Sequence, residues 1–469
     1  MSGRMALSRC LAGAAIALAV TGCLEEKSFP LRHQDVVWIT PPAEVAEGDG
    51  HDLSARQWVV HAHGELQRLL PPKGRTALVT EDLGDGHGHA VDVYAQLDKP
   101  KEHLKLLFKN FNALVHSTQA AAPGYAIESP APPWAGFEDV WIPVAEGVEL
   151  CGRLGFAREA GRIRRADCII LLPGIWGDNG VLRSRDLAMA LRDEGLHVLS
   201  LEIRGHGQTE ARFPDVYYTF GVLEALDLLR VADWLEDSYP EISGTGVIGF
   251  CWGSNIALLA TWLDACGGRH PAIADTVARH LGPITPRPRF TAGVLAFSTV
   301  VDWESIIEQA EQPARWSKNP PIHALQRVVR DRMRLKKHPE DSGNLRRLIE
   351  YEFAASSLTA EFPIMDGYRY LRFVPHRDLP WDNKLDAIRV PVVLVHAVND
   401  PFTMAQAVAD LLATSDNPNV AGLILRGGGH IGFWPYNQAY SYSLILNFFD
   451  PLRGVQGRAD RDKQAPSPS

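Results

Sequence analysis

The chain predicts an α/β protein with a mostly parallel central sheet flanked by helices, a helical cap inserted late in the fold and an N-terminal extension. Two observations carry this. Short apolar runs recur at Cys168–Leu172, Val198–Ile203, Gly246–Ile248, Val294–Phe297, Val390–Val395 and Ala421–Leu425, and most are followed by a helix-prone segment. Continuous apolar runs of this length, rather than alternating ones, fit parallel strands covered on both faces. The second is Gly249-Phe250-Cys251-Trp252-Gly253, between one such run and the helix-like Ser254–Ala260. Strand, tight turn and helix in that order lift the Cys251 side chain above the end of the sheet, and the two glycines make the sharp turn sterically possible.

Cys251 is the candidate nucleophile. At such an elbow the backbone N–H of Trp252 faces a reacting carbonyl, and the helix dipole favours a thiolate. Upstream, Cys168–Leu172 breaks at Pro173-Gly174-Ile175-Trp176-Gly177, and the N–H of Ile175 is the expected second oxyanion donor. The strand Val198–Ile203 ends at Arg204-Gly205-His206-Gly207, a turn expected to order the sheet edge rather than to react.

Downstream, Val390–Val395 leads to Asn399-Asp400-Pro401, then a helical run from Thr403 to Leu412, the strand Ala421–Leu425 and the loop Gly427-Gly428-Gly429-His430. Asp400 is the candidate acid and His430 the candidate base, in the chain order nucleophile, acid, histidine. Three glycines allow the loop to bend back over the nucleophile, so that the imidazole takes the thiol proton while the carboxylate fixes its tautomer. Asp302, also at the end of a strand-like run, competes for the acid role. Asp400 is preferred because its strand immediately precedes the one leading to His430.

From about Phe137 to Phe449 the chain resembles an α/β-hydrolase. Leu172-Pro173-Gly174, Arg204-Gly205-His206-Gly207, Asn399-Asp400-Pro401-Phe402 and Gly428-Gly429-His430-Ile431-Gly432-Phe433 resemble the YheT-like and embryogenesis-associated esterases. That resemblance implies carboxylic-ester hydrolysis by a serine, aspartate and histidine triad on acyl substrates of lipid type. Cys251 departs from it, although a G-x-C-x-G elbow is similar to that of dienelactone hydrolases and polyhydroxyalkanoate synthases. A thiolate forms a thioester that water must cleave, which favours activated esters, lactones or thioesters over amides. An acyltransferase using the same intermediate and a non-catalytic lipoprotein binding module are the alternatives.

Arg4 and Arg9 precede the apolar stretch Leu11–Val20, too short to span a bilayer and suited to a signal-peptide core over residues 1–22. Val20-Thr21-Gly22-Cys23 resembles a bacterial lipobox, implying lipid on Cys23 and a tether to a membrane outside the cytoplasm, the outer membrane in a Gram-negative cell because Leu24 follows.

With 469 residues, 46% hydrophobic, the chain can bury a large core, and a net charge of −9 argues against a nucleic-acid partner. The expected partner is a small acyl ester or thioester. No cofactor or metal is expected: no C-x-x-C is present, and His61/His63 and His87/His89 lack a matching carboxylate pattern. Cys251 and Cys266 bracket a helix that separates them by roughly 22 Å, too far for a disulfide. Cys151 and Cys168, on predicted neighbouring strands, are the pair able to bridge, although free thiols are the preferred reading.

Residues 23–116 form an accessory region of unassigned fold, 117–136 a linker, 137–452 the hydrolase domain and 453–469 a disordered tail. An insertion at about 303–385, including Leu325–Lys336 and Asn344–Phe353, is expected to cap the site, with Trp303, Trp316, Phe362, Tyr368 and Tyr370 available to an acyl pocket.

Overall fold

A computed structural model describes residues 35–39, 54–70, 77–79, 130–311, 320–338, 340, 342–356, 358–361, 363–375, 381–400, 402–430 and 438–449. Cys23 with the leader, His87 and His89, most of the linker and the C-terminal tail lie outside these residues. Among the described residues no helix is long and apolar enough to cross a membrane.

The strands in chain order are β1 (Ala77–Val79), β2 (Phe137–Ala145), β3 (Val148–Gly155), a short hairpin of β4 (Arg158–Glu159) and β5 (Arg162–Ile163), β6 (Ala166–Leu172), β7 (His197–Leu201), β8 (Ile242–Phe250), β9 (Gly293–Phe297), β10 (Val392–Ala397) and β11 (Val420–Leu425). The main sheet runs β1-β11-β10-β9-β8-β6-β7-β3-β2. Neighbours from β7 to β11 are parallel, and β3, β2 and β1 are added antiparallel.

The apolar runs read as doubly covered strands are covered on both faces. Along β6, Cys168, Ile170 and Leu172 enter one core while Ile169 and Leu171 enter the other, the two-residue period of a pleated strand. On the first face lie α4 (Val222–Ser238) and α5 (Trp252–Cys266); α1 (Ala55–Leu66), α2 (Leu182–Asp193) and α13 (Gln438–Phe449) cover the other. Of α5 only Cys266 escapes full burial, so the helix is enclosed on every side rather than amphipathic.

The described parts of the region before the linker pack onto this body. Trp58 of α1 is fully buried, its ring edge-on to Phe448 of α13 at 5.0 Å. Ile39 N–H donates to Asn447 Oδ1 at 3.0 Å, and Asn447 Nδ2 donates to Val37 O at 2.7 Å. β1 pairs with Leu423–Leu425. His61 and His63 lie on the helix α1, not on a strand, so their rings do not share a face; His63 Nδ1 is 3.0 Å from the buried Tyr440 hydroxyl.

The strand order also corrects the placement of Cys151 and Cys168: β7 separates their strands, and all four described cysteines are free. Chain neighbours are not sheet neighbours here, because β3 joins the sheet through β7.

Between β9 and β10 the chain makes α7 (Trp303–Glu311), α8 (Pro320–Leu335), α9 (Leu345–Ala355), α10 (Leu358–Glu361) and α11 (Ile364–Leu371). This insertion contributes Leu325 and Leu345 to the space above the sheet's C-terminal edge.

Candidate active site

The sheet reverses direction at β6 and β8: the chain leaves β6 toward β7, but leaves β8 toward β9 and β10. Such a switch point opens a crevice at the carboxyl ends of the strands. Leu172 pairs with Gly249, so the loops carrying Ile175 and Cys251 emerge side by side.

Cys251 has φ +55° and ψ −119°, a conformation that costs of order 1–3 kcal/mol for a residue with a side chain. The surroundings impose it. Cys251 N–H donates to Phe297 O at 2.9 Å, and the Ser254 hydroxyl donates to the same carbonyl at 2.8 Å. A Cβ on Gly249 would lie 2.6 Å from Ser254 Cα, and one on Gly253 would collide with Pro173 O. The flanking glycines therefore let α5 approach β8 and the preceding loop closely. Trp252 at the start of α5 has an N–H with no partner inside the helix, while its indole donates to Phe220 O at 3.3 Å.

His430 Nδ1 lies 3.0 and 2.9 Å from the two carboxylate oxygens of Asp400, with both side chains buried. Cys251 is near enough to His430 to interact with it electrostatically, and both side chains line one cleft. The glycine loop reaches back across β10 and β9 by way of Gly429 at φ +63°, whose N–H donates to Asn399 Oδ1 at 2.8 Å. The Ser298 hydroxyl donates to His430 O and holds the loop from below.

Burial opposes charge on His430, but the adjacent Asp400 and Cys251 outweigh it and raise the imidazole to about 10. Burial likewise works against ionised Asp400. His430, His396 and the Thr403 hydroxyl outweigh it, and the carboxyl is held well below the usual range. Asp400 also accepts from the N–H groups of Phe402 at 2.8 Å and Thr403 at 3.0 Å and from the Thr403 hydroxyl at 2.6 Å. The turn that follows Asp400 thus supplies three donors to its carboxylate, and the His430 ring is held against the same oxygens.

The structure brings Cys251, His430 and Asp400 together and leaves Asp302 out. The Asp302 carboxylate accepts from Ser305 N–H at 3.3 Å and from its hydroxyl, and serves the start of α7.

Ile175 and Trp176 line the cleft with Cys251, Trp252 and His430. Trp176 has φ +59°, and its N–H donates to His206 Nε2 at 2.7 Å, while His206 Nδ1 donates to Arg204 O at 2.7 Å. Burial, with Arg332 and Lys336 nearby, pushes His206 down to about 3, so the ring is neutral and its tautomer is set by these two bonds. Glu202 works alongside, accepting from Asn179 N–H at 2.9 Å and Gln208 N–H at 2.7 Å, and burial lifts it to about 7.

The cap fastens to this turn through Arg332 of α8, which is buried. Its guanidinium donates to Gly205 O at 2.9 Å and to Glu352 Oε1 at 3.0 Å and pairs with Glu210, which also pairs with Lys336. Nothing in the sequence marks Arg332 among the many basic residues of the insertion; only contacts distant in the chain identify it.

Of the aromatics available to an acyl pocket, those whose side chains are described take core positions. Tyr370 is fully buried, Trp303 and Tyr368 stack edge to face at 4.2 Å in the cap core, and Trp316 and Phe362 lie outside the residues whose side chains are described. The cleft at Cys251 is walled instead by Ile306, Leu325, Leu345 and Phe402.

The family model described as alpha/beta hydrolase family matches residues 169–440, more than half of the chain. The phospholipase ABHD3 of Bos taurus is 29% identical over 93 residues, 19% of this chain and 22% of that protein, and the phospholipase ABHD3 of Mus musculus is 30% identical over the same length. The chain spans about a fifth of the length of these curated relatives. Among solved structures, the Pyrococcus furiosus esterase Pf2001 aligns with a TM-score of 0.42 at 17% identity, covering 70% of this chain and 97% of that one. A 2,6-dihydroxy-pseudo-oxynicotine hydrolase aligns with a TM-score of 0.45 at 14% identity over 91% of this chain and 94% of its own.

Proposed function

The chain belongs to the α/β hydrolase family, and from that premise we propose that it hydrolyses carboxylic esters or thioesters through a covalent acyl-enzyme on Cys251. The observation that supports this reading is the contiguity of Cys251, His430 and Asp400 at the switch point of the sheet, beside the Ile175 loop.

The Cys251 sulfur attacks the ester carbonyl, and the carbonyl π electrons move to oxygen. The N–H groups of Ile175 and Trp252 hold that oxyanion. Collapse expels the alcohol or thiol, which takes the proton from His430 Nε2 and leaves a thioester on Cys251. A water then gives its proton to His430 and attacks the thioester, and the sulfur departs as the carboxylic acid forms. Asp400 stays ionised throughout and holds Nδ1–H of the ring. The subgroup of YheT-like esterases and acyl substrates of lipid type belong to the same reading, as does a membrane tether through Cys23, which rests on the lipobox-like sequence alone.

Hydrolysis of a panel of aryl esters and thioesters by the signal-less protein tests the chemistry. Turnover is expected in the wild type and absent from Cys251→Ala and His430→Ala, with Cys251 alkylated far faster near neutral pH in the wild type than in His430→Ala. Equal alkylation rates in both proteins, or a Cys251→Ala protein as active as the wild type, sinks the reading. Activity in Cys251→Ser alone assigns the wild type to binding. For the tether, incorporation of a palmitate analogue by the full chain in a bacterial host is expected to vanish in Cys23→Ala; its persistence removes Cys23 from that role.

A further inference from the structure

The cleft directly over Cys251 has only about 30 Å³ of free volume, room for little more than the reacting carbonyl. A second cavity of about 350 Å³ adjoins it and shares Ile306 and Phe402 as walls. We propose, on the basis of the hydrolase reading, that this second cavity receives the leaving group of the ester and that it selects uncharged or cationic alcohols over anionic ones.

Direction follows from the proton. The group that leaves must lie where His430 can protonate it, on the imidazole side of the reacting carbon. Phe402 packs edge-on against the His430 ring, centroids 5.0 Å apart, and lines both the cleft and the cavity. A leaving group that receives the His430 proton therefore points at the wall between the two spaces, whereas Leu325 and Leu345 border the cleft without entering the cavity.

Charge selection follows from the lining. Among the described residues the cavity presents Asp302 and Asp410 and no lysine, arginine or histidine. The Asp302 carboxylate is bonded to Ser305 and that of Asp410 to Gln406 Nε2 at 2.8 and 2.9 Å, so each acid is oriented by a neutral donor rather than by a cation. Arg372, near enough to Asp302 to interact with it electrostatically, pairs with Glu304. Thr299, Thr403 and Thr414 add neutral hydroxyls, and Val301, Ile306, Val374, Pro375, Phe402 and Met404 supply the apolar part of the wall.

The test uses the signal-less enzyme and three butyrate esters that differ in the alcohol: ethanol, choline and glycolate. Ala407→Trp, on a cavity wall in the first turn of α12 (Ala405–Ala413), and Met404→Trp at its exposed rim narrow the space without touching the cleft. KM for butyrylcholine is expected to rise at least about tenfold in one of the two variants, with ethyl butyrate unchanged, since a filled pocket rejects a larger group by roughly 10- to 200-fold. Asp302→Asn is expected to raise KM for butyrylcholine a few-fold and leave ethyl butyrate alone.

Equal effects on both esters, or a wild type that prefers the glycolate ester to butyrylcholine, overturn the proposal. Equilibrium binding of benzyltrimethylammonium separates the two readings. Absent turnover with binding lost in Ala407→Trp or Met404→Trp refutes the hydrolase and keeps the cavity as a cation-binding site, whereas absent binding in the wild type, or binding unchanged in both variants, refutes the cavity assignment as well.

Discussion

Replacing Arg332 by methionine strands one carboxylate in particular. Glu210 keeps Lys336 as an ion-pair partner, but Glu352 loses the guanidinium that donates to its Oε1, and its Oε2 has no partner among the described residues. Glu352 is fully buried, and burial already raises its pKa even with Arg332 present. Breaking a buried pair by removing one partner costs about 3–5 kcal/mol. For a body of this size the unfolding entropy is on the order of 0.7 kcal/mol per degree, so the melting temperature falls by about 4–7 °C.

The sign with pH is fixed. A carboxyl whose folded pKa lies above its unfolded value contributes stability below the unfolded value and loses it as pH rises. The deficit of Arg332→Met is therefore smaller near pH 5 than near pH 8, and Arg332→Met/Glu352→Gln recovers most of it. Thermal unfolding followed by near-ultraviolet circular dichroism at the two pH values reads both effects. A deficit that is equal at pH 5 and pH 8, and unrelieved by Glu352→Gln, refutes the assignment of the cost to a stranded Glu352.

Trp58→Ala is expected to lower stability by about 3–5 kcal/mol, measured by urea unfolding; an unchanged midpoint would detach α1 from the core. His206→Ala frees the Trp176 N–H and is expected to lower kcat roughly 10- to 100-fold, a fraction of the loss of an oxyanion donor, with KM and Cys251 alkylation little changed; an altered alkylation rate would instead place His206 beside the thiol. Because leaving-group protonation needs the imidazolium and His430 is raised to about 10, kcat/KM is expected to fall as pH climbs through about 10. In Asp400→Asn the fall begins at lower pH and kcat drops by about 10⁴; an alkaline limb unmoved by Asp400→Asn would assign it to another group.

What was legible in the sequence is what local chemistry determines. β6, β8, β9, β10 and β11 are runs buried on both faces, and the elbow glycines are demanded by contacts with Ser254 and Pro173 a few residues or one strand away. Cys251, Asp400 and His430 each follow the carboxyl end of a parallel strand, β8, β10 and β11, so they share one edge of the sheet, and the glycine loop carries His430 back across β10 and β9 to Cys251. Long-range packing was not legible. α1 is an ordinary amphipathic helix until Phe448 is placed beneath Trp58, and Cys151 is a chain neighbour of Cys168 whose strand β7 separates from it. Arg332 and Glu352 belong to a charged, helix-prone segment whose composition suits a solvated face, and only the folded cap reveals them as buried.

The outermost strands bear on how the protein keeps to itself. An exposed strand edge is a row of unpaired amides on which another chain can polymerise. At one border β2 turns outward with Glu138 and Asp139 and interrupts its donors at Pro143, which discourages such recruitment. At the other, β11 is wholly apolar, and the three residues of β1 occupy its free flank. The chain ahead of the hydrolase body thus acts as a built-in stopper, and a fragment beginning after residue 79 would leave Leu423–Leu425 open to pairing with its own kind.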